Sequence, residues 1–247
     1  MEYKNALITG ASSGLGRALA SWFAARGVRV YAAARRAELL EALREESKGN
    51  IEPVVMDVSR PDETLAAIEK LDDECGGLDL VVANAGMGGL TKGKRVHWPS
   101  IARMIEVNVT GAAATLCAAL PKMVDRKKGH LVGVSSMAAF RGMPHNAAYS
   151  ASKAFLATFL ESLRVDLRGT GVKVTCIYPG YVKTEMTAKV KGPMPFIMET
   201  IDAASLMGEA IERGDAEFAF PWQVALALRS SKVLPNALFD RLAPKFL

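Results

Sequence analysis

Tyr149 and Lys153 stand four residues apart in the run Ala147-Ala148-Tyr149-Ser150-Ala151-Ser152-Lys153, which on a helix stacks both side chains on one face. A free phenol has a pKa near ~10 and is a feeble base at neutral pH. A neighbouring cation favours the phenolate and lowers that value, so the pair has the chemistry to pass a proton to or from an oxygen. The spacing alone also fits an amphipathic helix edge with a snorkelling lysine. Ser136 sharpens the reading, because it lies upstream at the end of the apolar run 130–134. A hydroxyl there can hydrogen-bond a substrate oxygen and stabilise charge as it develops.

A second set of residues offers a phosphate cradle. Thr9-Gly10-Ala11-Ser12-Ser13-Gly14-Leu15-Gly16 follows the first apolar run and opens a helical one. Glycines there permit a tight turn and let the backbone approach a pyrophosphate, which a helix N-terminus favours electrostatically. The spacing is G-x-x-x-G-x-G, and Arg17 after Gly16 rules out a nucleoside-triphosphate loop, which needs G-K-[ST] there. A glycine cluster by itself also fits a plain strand-to-helix turn. The second apolar run ends in Ala34-Arg35-Arg36, with no acid before Glu38. Dinucleotide folds place an acid near this point to hold the ribose hydroxyls of NAD. Arginines there suit a 2′-phosphate, with Ser12 or Ser13 adding a hydroxyl, so NADP(H) is favoured over NAD(H). A solvated helix start would also account for Arg35 and Arg36.

Apolar runs at 6–9, 28–34, 51–56, 78–83, 130–134, 172–177 and 217–220 alternate with stretches of helical period at 15–25, 38–46, 63–74, 101–124, 147–167 and 203–213. Strands without polar alternation are buried on both faces, as in a parallel sheet with helices on either side. The expected architecture is α/β: one doubly wound, Rossmann-type parallel sheet of about seven strands forming one domain over residues 1–247. Residues 183–200 break the rhythm and read as a lid over a substrate site, and 222–247 as a C-terminal tail.

Cys75, Cys117 and Cys176 form no C-x-x-C pair and, being odd in number, make a poor disulfide framework, which points to a cytoplasmic setting. His97, His130 and His145 share no metal-ligand spacing, so no metal is expected. The net charge of +5 is too dispersed to argue for nucleic acid. No signal peptide is expected at the start, and no stretch reads as a membrane span.

With these residues in view, the chain resembles the short-chain dehydrogenase/reductase family in its compact single-domain form, over residues 4–220. Gly10, Gly14 and Gly16 resemble that family's cofactor loop, and Asn84-Ala85-Gly86 its N-A-G turn. Asn108, Ser136, Tyr149 and Lys153 match its catalytic tetrad. The resemblance implies Tyr149 as general acid/base and Ser136 orienting the carbonyl. It implies Lys153 on the nicotinamide ribose and Asn108 supporting a relay water. Asp57 would touch the adenine. Pro179, Gly180, Val182 and Thr184 match a P-G-x-V-x-T segment, with Val182 and Thr184 toward the carboxamide. After Ser136 the chain has Met137-Ala138-Ala139 where the family commonly has a small residue and then glycine. Homodimers or homotetramers built from the long helices are implied as well.

Met87, Met137, Met143, Met186 and Phe196, with Met194 and Met198, supply an oily candidate lining for an apolar carbonyl or alcohol. Several of them would serve equally to fill core. Lys183, Lys189 and Lys191 read as solvated, and His145 as a surface or capping residue. The tail is apolar, with Arg229, Lys232, Arg241 and Lys245 against Asp240. It is expected to pack on the domain, with contact to an anionic membrane as the lesser reading. Hydride transfer between NADP(H) and a carbonyl or secondary alcohol is the leading expectation. A nucleotide-sensing scaffold and a peripheral membrane protein are the alternatives.

Overall fold

Strands buried on both faces need cover on both, and the computed structural model supplies it with helices packed on each side of one sheet. It describes residues 3–47, 49–190 and 192–243. Lys191 and Lys245 fall outside these residues, as does the side chain of Lys189.

The seven strands are β1 (Asn5–Thr9), β2 (Arg29–Ala34), β3 (Ile51–Val55), β4 (Leu80–Ala83), β5 (Gly129–Val134), β6 (Val172–Pro179) and β7 (Glu217–Phe220). All pair in parallel, in the order β3-β2-β1-β4-β5-β6-β7. Ala6 lies between Val30 and Leu80, and Leu7 between Tyr31 and Val81. Successive residues therefore point to opposite cores. Ile8, Ala32 and Val82 join one, and Leu7, Ala33 and Val81 join the other. Burying one such leucine or isoleucine fully stabilises the fold by about 1.5–3 kcal/mol.

The first core lies under α1 (Gly14–Ala24), α2 (Ala37–Glu46) and α7 (Thr200–Arg213). The second lies under α3 (Pro61–Glu74), α5 (Ala112–Asp125) and α6 (Ala147–Asp166). Local chemistry marks the helix ends. Pro61 opens α3, followed by Asp62 and Glu63 in the first turn, where acids complement the helix dipole. Gly214 closes α7 in the left-handed conformation at φ 75°.

The predicted helix over 101–124 is longer than expected and interrupted. It runs as α4 (Trp98–Ile105), a π-turn at Glu106–Gly111, and then α5. The span Trp98–Asp125 is long and apolar enough, by length and composition, to cross a membrane, contrary to the expectation that no stretch reads as a span. Its apolarity has a structural source: Met104, Ala112, Leu116, Ala119 and Met123 are buried inside the fold.

The predicted tail folds into α8 (Trp222–Ser231) and α9 (Asn236–Leu242). Val224, Ala225 and Leu228 pack against the second core, and Arg229 pairs with Glu217 at 2.7 Å. Arg141 holds the far end. Its guanidinium donates to the carbonyls of Ser231 and Leu234 and to Asn236 Oδ1, and lies 3.8 Å from the Phe239 ring centre.

Candidate active site

Strand order reverses between β1 and β4, leaving a crevice beyond the carboxyl ends of the strands, where ligands bind in open α/β sheets. The glycine loop, the Asn84 turn and the ends of β5 and β6 all lie along that edge.

Between β1 and α1, Gly10 adopts φ 69° and Gly14 φ 55°. A methyl group on Gly16 would stand 2.4 Å from Gly10 O and from Asn84 Nδ2. One on Gly14 would stand 3.2 Å from Thr184 Cγ2. Asn84 Nδ2 donates to Thr9 O at 2.9 Å, while the amides of Asn84 and Ala85 both donate to Thr9 Oγ1 at 3.1 Å. The N-A-G turn is thus the buttress of the glycine loop. Ser13 precedes α1 in extended conformation without a side-chain cap, so the first amides of the helix are left for a ligand. This cradle suits a pyrophosphate. Leu15, beside it, packs toward the first core.

Of the two arginines, Arg36 meets the loop. Its Nε and Nη2 donate to Ser12 Oγ at 3.1 and 3.0 Å, and Nη2 donates to Ser13 Oγ at 2.7 Å. Its Nη1 donates to the Glu185 carboxylate at 3.3 and 3.5 Å. Arg35 lies instead 3.9 Å from Asp57 Oδ2, which also accepts from Arg103 at 3.3 Å. Asp57 Oδ1 accepts from the Ser59 amide and hydroxyl. Burial acts to raise the Asp57 carboxyl, but the Ser59 bonds and the two arginines outweigh it and hold the group below its ordinary value.

The proton-transfer residues come together from three elements. Asn108 sits in the π-turn, fully buried. Its Oδ1 accepts from the Met87 amide at 2.8 Å, and its Nδ2 donates to Met87 O at 2.9 Å and to Ser152 Oγ at 3.0 Å. Ser152 Oγ in turn donates to Tyr149 O at 2.8 Å. Lys153 Nζ donates to Val134 O at 2.8 Å, and Ser135 Oγ donates to Lys153 O at 2.8 Å. The ammonium lies 5.9 Å from the Tyr149 ring centre. A methyl on Gly86 would come within 3.4 Å of both Lys153 Nζ and Asn108 Oδ1, so that turn forms the floor between them. Ser136 Oγ accepts from the Ala138 amide at 3.2 Å, and its side chain acts to lower the Tyr149 phenol.

Burial raises the Tyr149 phenol above its ordinary value, against the lowering effect of Ser136. Burial also drives the Lys153 ammonium down to about 8. At neutral pH the phenol is therefore held protonated, while Lys153 stays mostly charged but gives up its proton far more readily than a lysine in water. The depressed phenol expected from the Tyr149–Lys153 spacing is not found, because desolvation outweighs the lowering effect of Ser136.

The oily residues divide. Met137 is buried in the second core, and Met198 packs against the first. Met186 is exposed, with its Sδ 3.0 Å from where a methyl on Gly88 would lie. Phe196 is exposed, and Met87 is fixed by Asn108. Met143 and Met194 are half-buried. The excursion after β6 is pinned at both ends, since Lys183 N donates to Met198 O at 2.9 Å and Met198 N to Tyr181 O at 3.0 Å. Thr187 Oγ1 donates to the carbonyl of Val182, itself buried, at 2.6 Å. Gly180 N donates to Phe220 O at 2.8 Å just after Pro179. Lys183 is exposed, as expected, and pairs on the surface with Glu199. His145, exposed and at φ 60°, contributes its carbonyl to Thr91 N.

Sequence reasoning missed Ser152 and Glu185, and it placed Thr9 in the glycine loop without its bonds to the Asn84 turn. Ser152 carried a signal, being one helical turn from Tyr149 on its own face. Glu185 and the bonds of Thr9 carried none, because their partners are distant in the chain.

The family model described as short chain dehydrogenase matches residues 4–194. An uncharacterized oxidoreductase of Myxococcus xanthus is 64% identical over 246 residues, covering 98% of this chain and 97% of that protein. A solved short-chain dehydrogenase from Sphingobium yanoikuyae in complex with NADPH is similar at 27% identity and TM-score 0.81, over 95% of this chain and 97% of that one. A short chain dehydrogenase/reductase from Burkholderia phymatum in complex with NAD shares the fold at TM-score 0.84 and 24% identity, over 92% of each.

Proposed function

Because this chain belongs to the short-chain dehydrogenase family and is an oxidoreductase of it, we propose that it interconverts a carbonyl and a secondary alcohol in an apolar molecule, using NADP(H), with Tyr149 as the general acid/base. The observation that carries this reading is the linkage of Asn108 through Ser152 to the Tyr149 turn, beside the buried Lys153.

The bound nicotinamide supplies or accepts the hydride and, when oxidised, contributes a positive charge. The loop from Gly10 to Gly16 and the first amides of α1 would hold the pyrophosphate. Arg36, with Ser12 and Ser13, offers a forked donor set for a 2′-phosphate, while Arg35 pairs with Asp57, which would touch the adenine. Gly86, Pro179, Gly180, Val182 and Thr184 would line the nicotinamide end. In carbonyl reduction the Tyr149 hydroxyl gives its proton to the substrate oxygen as charge develops there, and the Ser136 hydroxyl donates a hydrogen bond to the same oxygen. A phenol held protonated by burial is suited to that step. In the oxidation direction Lys153 and the ring charge would favour the phenolate. The side chain of Asn108 is committed to Met87 and Ser152, so support of a relay water falls to main-chain groups of the π-turn.

The free cysteines suit a cytoplasmic setting. The exposed Phe155, stacked on Phe159 at 5.6 Å on α6, is a surface that homo-oligomer formation through the long helices would cover.

A panel of apolar ketones and secondary alcohols, read at the NADPH absorbance band, tests the activity. Tyr149→Phe should lower kcat by at least about 10²-fold while leaving NADPH fluorescence titration unchanged. An undiminished rate removes Tyr149 from the mechanism, and equal affinity for NADPH and NADH removes the cofactor preference.

A further inference from the structure

We propose that Glu185 occupies the seat of the cofactor's 2′-phosphate, so that its carboxylate must leave Arg36 before that phosphate binds. The proposal rests on the NADP(H) reading and adds a residue that sets how strong the preference is.

Arg36 uses all three of its nitrogens here. Nε and Nη2 go to the neutral hydroxyls of Ser12 and Ser13, and Nη1 goes to the two oxygens of Glu185. Glu185 is the anion paired with Arg36 among the described residues, so it stands where an arriving anion would be drawn. It comes from far along the chain, immediately after Thr184, which packs on Gly14 of the phosphate loop. The excursion after β6 therefore reaches both the loop and the arginine that flanks it. Both side chains of the pair are well exposed, at 41% for Arg36 and 67% for Glu185. An exposed pair of this kind is weak and readily exchanged.

Charge decides the consequence. A 2′-phosphate carries about two negative charges and competes with Glu185 for one guanidinium, and any carboxylate left beside it repels it. A 2′-hydroxyl is neutral and can donate to a carboxylate, so the same residue does not penalise NAD(H). Specificity is a difference of two affinities. On this reading Arg36 attracts the phosphorylated cofactor and Glu185 trims that attraction, keeping the preference smaller than the arginine alone would give.

The full chain is titrated by calorimetry with adenosine 2′,5′-bisphosphate and with adenosine 5′-diphosphate, which lacks the 2′-phosphate. Glu185→Gln should tighten the bisphosphate about threefold and leave the diphosphate unchanged. The gain should vanish when Arg36→Ala is combined with it, since the competition runs through that guanidinium. If Arg36→Ala weakens the bisphosphate but Glu185→Gln leaves it unchanged or weaker, Glu185 is not a competitor. A gain that persists in the double variant likewise overturns competition through Arg36. If Arg36→Ala binds both nucleotides as the unaltered chain does, the NADP(H) reading falls and takes this proposal with it.

Discussion

A lysine drawn out of water with one carbonyl for company is held in place against its own preference. Lys153 is 5% exposed and donates to Val134 O, and burial has pushed it down to about 8 from 10.5. Because the folded value lies below the unfolded one, the penalty is present below pH 8 and is relieved as pH climbs from about 8 to 10.5. The cofactor-free protein should therefore gain stability across that window. Lys153→Met should raise its stability at pH 7 by on the order of 2 kcal/mol, after the loss of one hydrogen bond, and should abolish turnover. Thermal melts of the two proteins from pH 7 to 10.5 check this, and a variant that melts lower at pH 7 contradicts it.

Among the elements, the glycine loop and the N-A-G turn act as one unit. Gly16→Ala would place a methyl 2.4 Å from a carbonyl and an amide nitrogen, both main parts of that unit. The expected cost is about 1–3 kcal/mol in urea unfolding, with at least tenfold weaker NADPH binding by fluorescence titration. Near-normal binding would mean that the loop tolerates being opened. The strands were legible because burial on both faces leaves unbroken apolar runs, as in Leu80–Ala83. The glycine spacing was legible because only backbone geometry explains it. The π-turn was not, since Glu106–Gly111 has no compositional mark that separates it from the helix around it. Nor was the pairing of Arg36 with Glu185, because nothing local in either segment points to the other. The tail showed no strong period, and its two helices rest on contacts with Arg141 and Phe140 that only the folded chain supplies.

At the scale of the molecule, one buried histidine ties the start of the chain to the middle of the sheet. His130 lies between the Tyr3 hydroxyl at 2.7 Å and Thr175 Oγ1 at 2.8 Å, with no exposed surface. Burial, with Lys173 nearby, pushes it down to about 3 from 6.5. Below pH 6.5 the unfolded chain takes up a proton that the fold refuses, so stability falls as pH drops from 6.5 toward 3. By pH 5 the loss from this group should be about 2 kcal/mol. Urea midpoints between pH 7 and 5 measure the slope, which His130→Gln should flatten whatever its effect on stability at pH 7. An unchanged slope would place the acid sensitivity elsewhere.

The grip of Arg141 on Ser231, Leu234 and Asn236 also bears on timing. The chain is made from its N-terminus onward, while a domain generally folds as a unit. The glycine loop and its Asn84 buttress come from β1, β4 and the turns after them, so their residues are made early, whereas Thr184, which packs on Gly14, is made much later. The segment from Ser136 to Tyr149 gains its outer support only when the last helices have been made. Synthesis therefore makes the glycine loop and its buttress long before the segment that braces the wall beside Tyr149.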